Sequence, residues 1–366
     1  MKPSQSLPPE QSTPHSIIAQ LASGQSPLVD VRAPGEFNQA HLPHSINLPI
    51  LNDEERHQVG LTYKRLGNVA ATELGHQLVS GEVRQQRIEA WANVFNQQSD
   101  ARLICWRGGA RSRIAQSWLN ELGIPAQRIP GGYKTLRQAC LAVLEQTGQK
   151  HWWVLGGKTG VGKTVAIGQI PSSIDLEGIA RHRGSAFGSY PDAQGHSVEQ
   201  PAQATFENLL AYAWLQLASA QIVVEDESRM IGRTALPKTW HEAMHTAPLV
   251  LIDATLEERS AHIYQEYVEQ PLAAGTSPTL LKHHLQKSLQ KISRRLGGQL
   301  HQQIHAQLTQ AFDERADHTE WITSLLSQYY DPMYEYQLQK KTARVVFQGS
   351  LESAVEYLKA QTTPTD

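Results

Sequence analysis

Apolar and polar residues follow one another along this chain in a pattern that predicts short buried strands separated by amphipathic helices. In the first half of the chain, glycines or polar turns follow most of these segments, as expected where a chain reverses direction. The elements predicted there are strands at 27–31, 101–104 and 128–129, and helices at 16–22, 112–122 and 136–146.

A second series of the same kind begins at residue 151. It predicts a helix at 203–218, a mostly helical stretch at 256–339, and strands at 151–155, 173–176, 221–225, 248–253 and 344–347. Strands that alternate with helices are typical of α/β domains with parallel sheets. We therefore predict a disordered tail at 1–14, a first domain at 15–146, a linker at 147–150, and a second domain at 151–362 with a helical region at 256–339.

Composition narrows the class of protein. A chain of 366 residues with 40% hydrophobic residues can form two ordinary cores. It contains neither a membrane-spanning apolar run nor the apolar core of a signal peptide, so we expect a soluble cytoplasmic protein that does not bind membranes. Two cysteines, Cys105 and Cys140, argue against a disulfide framework and a structural zinc site.

The first candidate site is the loop that follows the strand at 101–104. It contains Cys105, Arg107, Gly108, Gly109 and Arg111, and a helix follows it. Glycines let such a loop curl around an anion, while backbone N–H groups and arginines favour a thiolate. A core cysteine would need neither the glycines nor the arginines, so we predict a reactive thiol. Cys140 lies among leucines and is predicted to pack in the core.

The second candidate site is a phosphate loop. The pattern G-x-x-x-x-G-K-T lies between a predicted strand and a predicted helix, which is the context this motif requires. Its backbone N–H groups hold a diphosphate, its lysine neutralises charge, and its threonine can bind Mg²⁺. The residues assigned to this site are Gly157, Gly160, Gly162, Lys163 and Thr164.

An acidic partner for Mg²⁺ is expected at the end of the strand at 221–225, where Glu225 and Asp226 are the candidates. A solvated strand end is the alternative. Asp175 and Glu177 could lie at the same edge, since the carboxyl ends of parallel strands collect ligands.

The formal net charge of −2 differs from that of a generally basic RNA-coating protein, so a nucleic acid would need local basic patches. If residues 280–300 form one helix, several of the basic residues there lie on one face. A solvated helix face is the alternative. The candidate RNA-binding residues are Arg181, Arg183, Arg229, Arg233, Lys287, Lys291, Arg294 and Arg295.

Four segments of the first domain resemble the rhodanese pattern in order and spacing: residues 28–37, 41–49, the Cys105 loop and 129–133. This resemblance implies that Cys105 carries sulfur or selenium. Residues 53–78 are more than a plain rhodanese requires, and they suggest an accessory surface or channel.

From about residue 16 to the C-terminal region, the chain resembles the bacterial tRNA 2-selenouridine synthase family. Further segments that carry this likeness lie at 175–178, 182–188, 224–232, 292–298 and 330–333. The resemblance implies a rhodanese-like domain joined to a P-loop NTPase-like domain. It also implies that sulfur of 2-thiouridine at the tRNA wobble position is replaced by selenium from selenophosphate after S-geranylation with geranyl diphosphate.

On this interpretation the partner is the anticodon stem-loop of tRNA, and we expect a monomer. Trp152, Trp153 and residues 329–334 are candidate linings for the geranyl chain, although each is also typical of an ordinary core. Whether ATP binds the P-loop, and whether Cys105 holds selenium covalently, both stay open. The alternatives are an ATP-dependent sulfurtransferase of tRNA thiolation and a nucleotide-switched binding module without catalysis.

Overall fold

The computed structural model describes residues 13–24, 26–192, 194–314 and 316–362. These residues form two compact units. The first unit contains the described residues up to Glu145 together with Ala202–Gln216, and the second contains Gln146–Pro201 and the chain from Leu217 onward.

The first unit is built on a four-stranded parallel sheet in the order β2-β1-β3-β4. Trp91, Leu103 and Trp118 are among the large side chains in its core. The chain begins this unit with α1 (Pro14–Ala22), β1 (Leu28–Asp30), α2 (Pro34–Gln39), β2 (Ser45–Asn47), α3 (Asp53–Leu78), α4 (Gly81–Gln97), β3 (Arg102–Ile104), α5 (Ala110–Glu121), β4 (Gln127–Arg128) and α6 (Gly132–Leu144).

Most of the tail expected at 1–14 lies outside the described residues. Thr13 is described, and its side chain caps α1 by accepting a hydrogen bond from the Ser16 N–H. The first helix therefore begins at Pro14.

The chain then forms a 3₁₀ turn (Thr147–Gln149), β5 (His151–Gly157), α7 (Lys163–Gln169), β6 (Ser173–Ile174), α8 (Leu176–Ala180), α9 (Gln203–Gln216), β7 (Gln221–Glu225), β8 (Met230–Ile231), β9 (Thr234–Ala235), α10 (Lys238–Thr246), β10 (Leu249–Ile252), α11 (Leu256–Tyr264), a π-helical turn (Gln265–Glu269), α12 (Gln270–Ala273), α13 (Pro278–Lys291), α14 (Ser293–Leu296), α15 (Gly298–Asp313), α16 (Thr319–Leu325), a second π-helical turn (Leu326–Tyr330), α17 (Asp331–Gln339), a 3₁₀ turn (Thr342–Arg344), β11 (Val345–Gly349) and α18 (Leu351–Thr362).

The second unit has a five-stranded parallel sheet in the order β11-β10-β5-β7-β6. β5 is its central strand, and the glycine-rich loop leaves from the carboxyl end of β5. Helices between β10 and β11 bury a second apolar core that includes Leu285, Leu308 and Trp321. The fold class is therefore the predicted one, with two parallel α/β units and a helical region in the second.

α9 belongs to the first unit although the chain reaches it from the second. Its buried Asn208 donates to the His41 carbonyl at 2.7 Å and accepts from Arg137 at 3.0 Å. Its Glu207 forms an ion pair with Arg137, and Gln216 donates to the Ala22 carbonyl. The predicted division places all residues after 150 in the second domain, so it does not include the return of α9 to the first unit.

Residues 280–300 do not form one continuous helix, so the condition set for a single basic face is not met. α13 ends at Lys291, and the short α14 separates it from α15. Gly297 has φ 79°, a conformation that glycine adopts readily and that interrupts a right-handed helix. None of the helices in the described part of the chain is long and apolar enough to cross a membrane.

Candidate functional site

Cys105 lies directly after β3, at the start of the loop that leads into α5. It is 3% exposed, and its Sγ lies 3.3 Å from the Ser112 Oγ in the first turn of α5. Backbone hydrogen bonds from Tyr133 N to Cys105 O and from Lys134 N to Trp106 O fasten the loop to the start of α6. The sulfur therefore sits at the floor of a fixed loop.

Two glycines make this loop geometry sterically feasible. Gly108 has φ 63°, and a Cβ there would lie 2.9 Å from the Ile129 carbonyl. A Cβ on Gly132 would lie only 2.2 Å from the Cys105 carbonyl and 2.5 Å from the Gly108 nitrogen. No larger side chain fits at either position without moving backbone. Gly109 meets no such obstacle and marks the start of α5.

The two arginines predicted for this loop have different environments. Arg107 is exposed and has no hydrogen bond or ion pair within the described residues. Arg111 is half-buried and forms a bidentate ion pair with Glu36, which also pairs with Arg56. Although burial opposes ionisation, the bonds and charges of these arginines keep the pKa of Glu36 below its usual range. Arg107 is thus the arginine available to an incoming anion.

A buried ion pair that was not identified from the sequence lies next to the Cys105 loop. Arg32 and Asp30 are fully buried and joined by hydrogen bonds of 2.6–3.0 Å. The Arg32 guanidinium lies 4.1 Å from the centroid of the Tyr133 ring, and that ring stacks on Trp106. This cation–π contact stabilises the position of Tyr133, which in turn contacts Trp106 of the loop. In the sequence Asp30 and Arg32 form only an Asp-x-Arg pattern at a strand end, and this pattern does not reveal that the two side chains pair with each other.

A large cavity opens beside the Cys105 loop in the first unit. It has a volume of about 650 Å³, and most of its wall comes from α3. Ala110 and Arg111, in the first turn of α5, also line it. The cavity therefore begins where the cysteine loop ends, in the region expected to form an accessory surface or channel.

The P-loop follows β5 in the second unit. Gly157, Gly160 and Gly162 all have positive φ, and Lys163 Nζ donates to the Gly157 carbonyl at 3.1 Å. A Cβ on Gly160 would lie 2.8 Å from the Arg259 carbonyl. The lysine thus folds back over the loop, where it faces any bound phosphate group.

α11 holds the P-loop in place. Arg259 donates to the Thr159 carbonyl at 3.3 Å and makes two bonds of 2.7 Å with Asp331. His262 lies 2.9 Å from the Gly160 carbonyl through its Nδ1. These residues carry no motif of their own, and their role depends on tertiary contacts.

The two predicted acidic residues, Glu225 and Asp226, have different partners. Asp226 is engaged by Lys341, whose Nζ lies 2.7 Å from both carboxylate oxygens. Glu225 is fully buried and accepts from the Leu176 N–H at 3.0 Å, while its Oε1 has no partner among the described residues. Burial raises the pKa of Glu225 well above its usual value.

Glu177 and Glu227 lie near the P-loop threonine and lysine. Thr164 Oγ1 donates to Glu177 Oε2 at 3.3 Å, and the two glutamates share a hydrogen bond. Burial and the neighbouring Glu177 raise the pKa of Glu227 to about 8. Lys163 offsets part of this effect through its charge. The sequence suggested Glu177 from its strand end, whereas Glu227 was not singled out.

The candidate RNA-binding residues fall into two groups. Arg183 is half-buried, packs against the rings of Tyr190 and Tyr267 at 4.3 and 4.6 Å, and lies near Glu266. The other predicted residues are exposed: Arg181, Arg229, Arg233, Lys287, Lys291, Arg294 and Arg295. The last four lie on α13 and α14, so the broken helix still presents them to solvent.

The aromatic residues proposed to line a geranyl site lie in two different places. Trp152 packs edge-on against Trp240 near the start of β5, and Trp153 packs against Tyr357. Both lie on the amino-terminal part of β5, whereas the P-loop leaves its carboxyl end. Tyr330 instead lines a narrow apolar crevice that also contains Thr159 of the P-loop.

The fold and these two loops define the class: a rhodanese-type cysteine loop and a phosphate loop occur in one two-unit protein. A model of the rhodanese-like domain matches residues 13–139. A model of the tRNA 2-selenouridine synthase AAA domain matches residues 150–365.

Relatives match nearly the whole chain. The protein is 42% identical to the tRNA 2-selenouridine synthase of Marinobacter nauticus, over 92% of this chain and 95% of the relative. Its identity to the synthase of Shewanella frigidimarina is 42% over 94% and 97%, and to that of Salmonella typhi 41% over 93% and 97%. The chain belongs to the tRNA 2-selenouridine synthase family, which consists of tRNA-modifying enzymes.

Proposed function

We propose that this protein replaces the sulfur of 2-thiouridine at the wobble position of tRNA by selenium, in two steps. The observation that carries the proposal is that the first unit contains a cysteine on the floor of a glycine loop, while the second contains a phosphate cradle with its lysine in place. Family membership supports tRNA as the substrate. We place the reaction in the cytoplasm and retain the expectation of a monomer.

The first step is S-geranylation in the second unit. The sulfur of 2-thiouridine attacks the allylic carbon of geranyl diphosphate, the carbon–oxygen bond breaks, and diphosphate leaves with the bonding electrons. The uridine loses its N3 proton to solvent. The P-loop amides and Lys163 stabilise the negative charge of the departing diphosphate, which is the main contribution a protein makes to such a displacement.

The carboxylates near Thr164 fit a divalent cation. Glu177 and Glu227 share a hydrogen bond, and the buried Oε1 of Glu225 has no partner among the described residues. A nearby cation would reduce the repulsion between these three carboxyl groups. Thr164, Glu177 and Glu227 would hold Mg²⁺, which would add positive charge next to the diphosphate. The buried Glu225 lies near Glu177, and Asp226 is a weaker candidate because Lys341 already neutralises it.

The geranyl chain of the donor has a candidate site at the crevice beside Thr159. Ile263, Tyr267, Trp321 and Tyr330 contribute to its walls. Its volume is about 20 Å³, close to the space of a single water molecule. Donor binding would therefore have to part these side chains. The two π-helical turns border this crevice, and such turns often occur at functional sites.

The second step takes place at the Cys105 loop. Selenium of selenophosphate attacks C2 of the modified base, the C2–S bond breaks, and geranyl thiolate leaves and takes up a proton. Water then cleaves the selenium–phosphorus bond to release phosphate and 2-selenouridine. The exposed Arg107 and the loop amides bind the anionic donor, and the Cys105 thiol guides its selenium towards C2 without forming a bond to it.

Nucleoside analysis of tRNA from cells that lack the gene tests this function. We expect 2-selenouridine to disappear while 2-thiouridine is retained, because sulfur insertion precedes both steps. A return of 2-selenouridine when the intact gene is restored is the control. Loss of 2-thiouridine itself would instead support the ATP-dependent sulfurtransferase and refute the proposal.

A further inference from the structure

The cavity beside the Cys105 loop has a wall that the rest of the fold leaves uncovered. α3 is 26 residues long, yet Ala71 is its only buried residue among 53–78, all of which the structure describes. Leu61 and Tyr63 on its cavity side are 39% and 59% exposed. Such uncovered apolar surface next to a concave site commonly marks a binding surface.

The lining of the cavity combines apolar and basic side chains. Val59, Ile114 and Trp118 contribute apolar surface, and Lys64 contributes positive charge. Arg56 and Arg111 also line the cavity and share one carboxylate, Glu36, so this trio keeps a net positive charge. No carboxylate occurs among the described residues that line it. This combination suits an apolar group attached to a polyanion, and RNA is a polyanion.

The size of the cavity suits a prenyl chain. Its volume of about 650 Å³ lies within the range of roughly 300–1,000 Å³ that small-molecule sites occupy. The crevice beside the P-loop, by contrast, has about 20 Å³. The larger apolar site thus belongs to the unit that contains Cys105, not to the unit that contains the phosphate cradle.

We infer that this cavity binds the geranyl group of S-geranyl-2-thiouridine in tRNA while selenium is delivered from the Cys105 loop. The inference rests on the proposed function, since it assumes that a geranylated base is the substrate of the second step. Ala110 and Arg111 line the cavity and also form the first turn after the loop, so an occupant lies next to the selenium donor. As the C2–S bond breaks, the cavity retains the leaving geranyl thiol.

A geranyl group bound in the cavity also explains how the enzyme would select geranylated RNA. Each methylene group removed from water contributes about 0.8 kcal/mol, so a buried prenyl chain distinguishes geranylated RNA strongly from RNA with an unmodified thiocarbonyl. Selenium would then be used only on bases that carry a good leaving group.

Gly60→Phe in the full-length protein tests the inference. Gly60 lines the cavity in α3, and a Cβ added there meets no atom within 4 Å, so the new side chain starts in open space. Replacing a mid-helix glycine also favours the helix. Val69→Phe is the matched control, because Val69 is 82% exposed on the same helix and does not line the cavity.

The probes are anticodon stem-loop RNAs with either S-geranyl-2-thiouridine or 2-thiouridine at the wobble position. We expect the wild type to bind the geranylated RNA at least about tenfold more tightly. Gly60→Phe should reduce this preference to within about twofold and slow selenation of the geranylated RNA, while Val69→Phe should retain the preference.

Two outcomes would overturn the inference. The first is equal binding of both RNAs by the wild type, and the second is an unchanged preference in Gly60→Phe. If that variant with its preference unchanged also loses geranylation from geranyl diphosphate, the cavity belongs to the donor instead. If the wild type converts 2-thiouridine RNA directly but never the geranylated RNA, the proposed function itself fails.

Discussion

The Cys105 loop and the P-loop both bind anions in our proposal, but they differ in how complete their surroundings are. Around the cysteine loop, Arg32 is paired with Asp30 and Arg111 with Glu36, and a cavity of about 650 Å³ stands open beside it. Around the P-loop, Glu177 and Glu227 are neighbouring buried carboxyl groups, and the adjacent crevice has a volume of about 20 Å³.

We infer from this difference that the first site is preformed, whereas the second would gain its final arrangement from its ligands. Carboxyl groups that lie together in a poorly solvated place are destabilising unless a proton or a cation joins them. Binding of Mg²⁺ and a diphosphate would remove that cost. We therefore expect the two sites to fail differently when each is altered.

The largest effect is expected from Cys105→Ser. A hydroxyl does not ionise as a thiol does and cannot guide selenium in its place, so formation of 2-selenouridine should fall by at least about a thousandfold. S-geranyl-2-thiouridine should accumulate, as measured by mass spectrometry of tRNA nucleosides. Cys140→Ala is the control, since the Cys140 thiol is buried in α6 and burial raises its pKa to about 12. Equal loss of both products would contradict a division of labour between the units.

A somewhat smaller effect is expected from Lys163→Ala. Removing the charge that faces the leaving diphosphate should slow geranylation by about a hundred- to a thousandfold. Selenation of RNA that is already geranylated should continue, and parallel assays with the two RNAs measure this contrast. Lys158→Ala is a matched control in the same loop, because Lys158 pairs with the exposed Glu335. If Lys163→Ala abolishes ATP hydrolysis but spares geranylation, ATP is the ligand of the P-loop.

The smallest effect is expected from the basic residues of α13 and α14. Replacing Lys287, Lys291 and Arg295 by alanine should weaken tRNA binding and reduce the slope of log affinity against log salt by about 0.7–0.9 for each phosphate group that is no longer neutralised. Binding measured at several salt concentrations tests this prediction. Lys282→Ala on α13 is the control, because Lys282 is already paired with Asp313. An unchanged slope in the triple variant would leave these residues as a solvated face.

Local patterns in the sequence predicted much of the fold and both loops. β3, β5 and β7 are short apolar runs, and their predicted positions differ from the observed bounds by only a few residues. The glycines of the P-loop do have the positive φ that the motif requires. The apolar spacing at 280–300 is compatible with one helix, although Gly297 and Gly298 mark a helix break that the structure shows.

Contacts between distant parts of the chain were not predictable in the same way. The ion pair of Arg259 with Asp331 joins residues 72 positions apart, and the α9 residue Asn208 bonds to His41 across 167 positions. Neither pair has a local spacing that would reveal it. The same holds for Glu227, which gains its role only from its position beside Glu177.

By itself, the sequence determined which chemistry the chain contains: a cysteine in a glycine loop, a phosphate cradle, and the order of strands and helices that presents them. These properties depend on residues close together in the chain, where backbone geometry and apolar spacing leave few alternatives. Only the tertiary structure decided that Glu177 and Glu227 approach the P-loop, that α9 completes the first unit, and that α3 leaves an apolar cavity beside Cys105. Those features depend on packing between distant segments, which local sequence patterns do not specify.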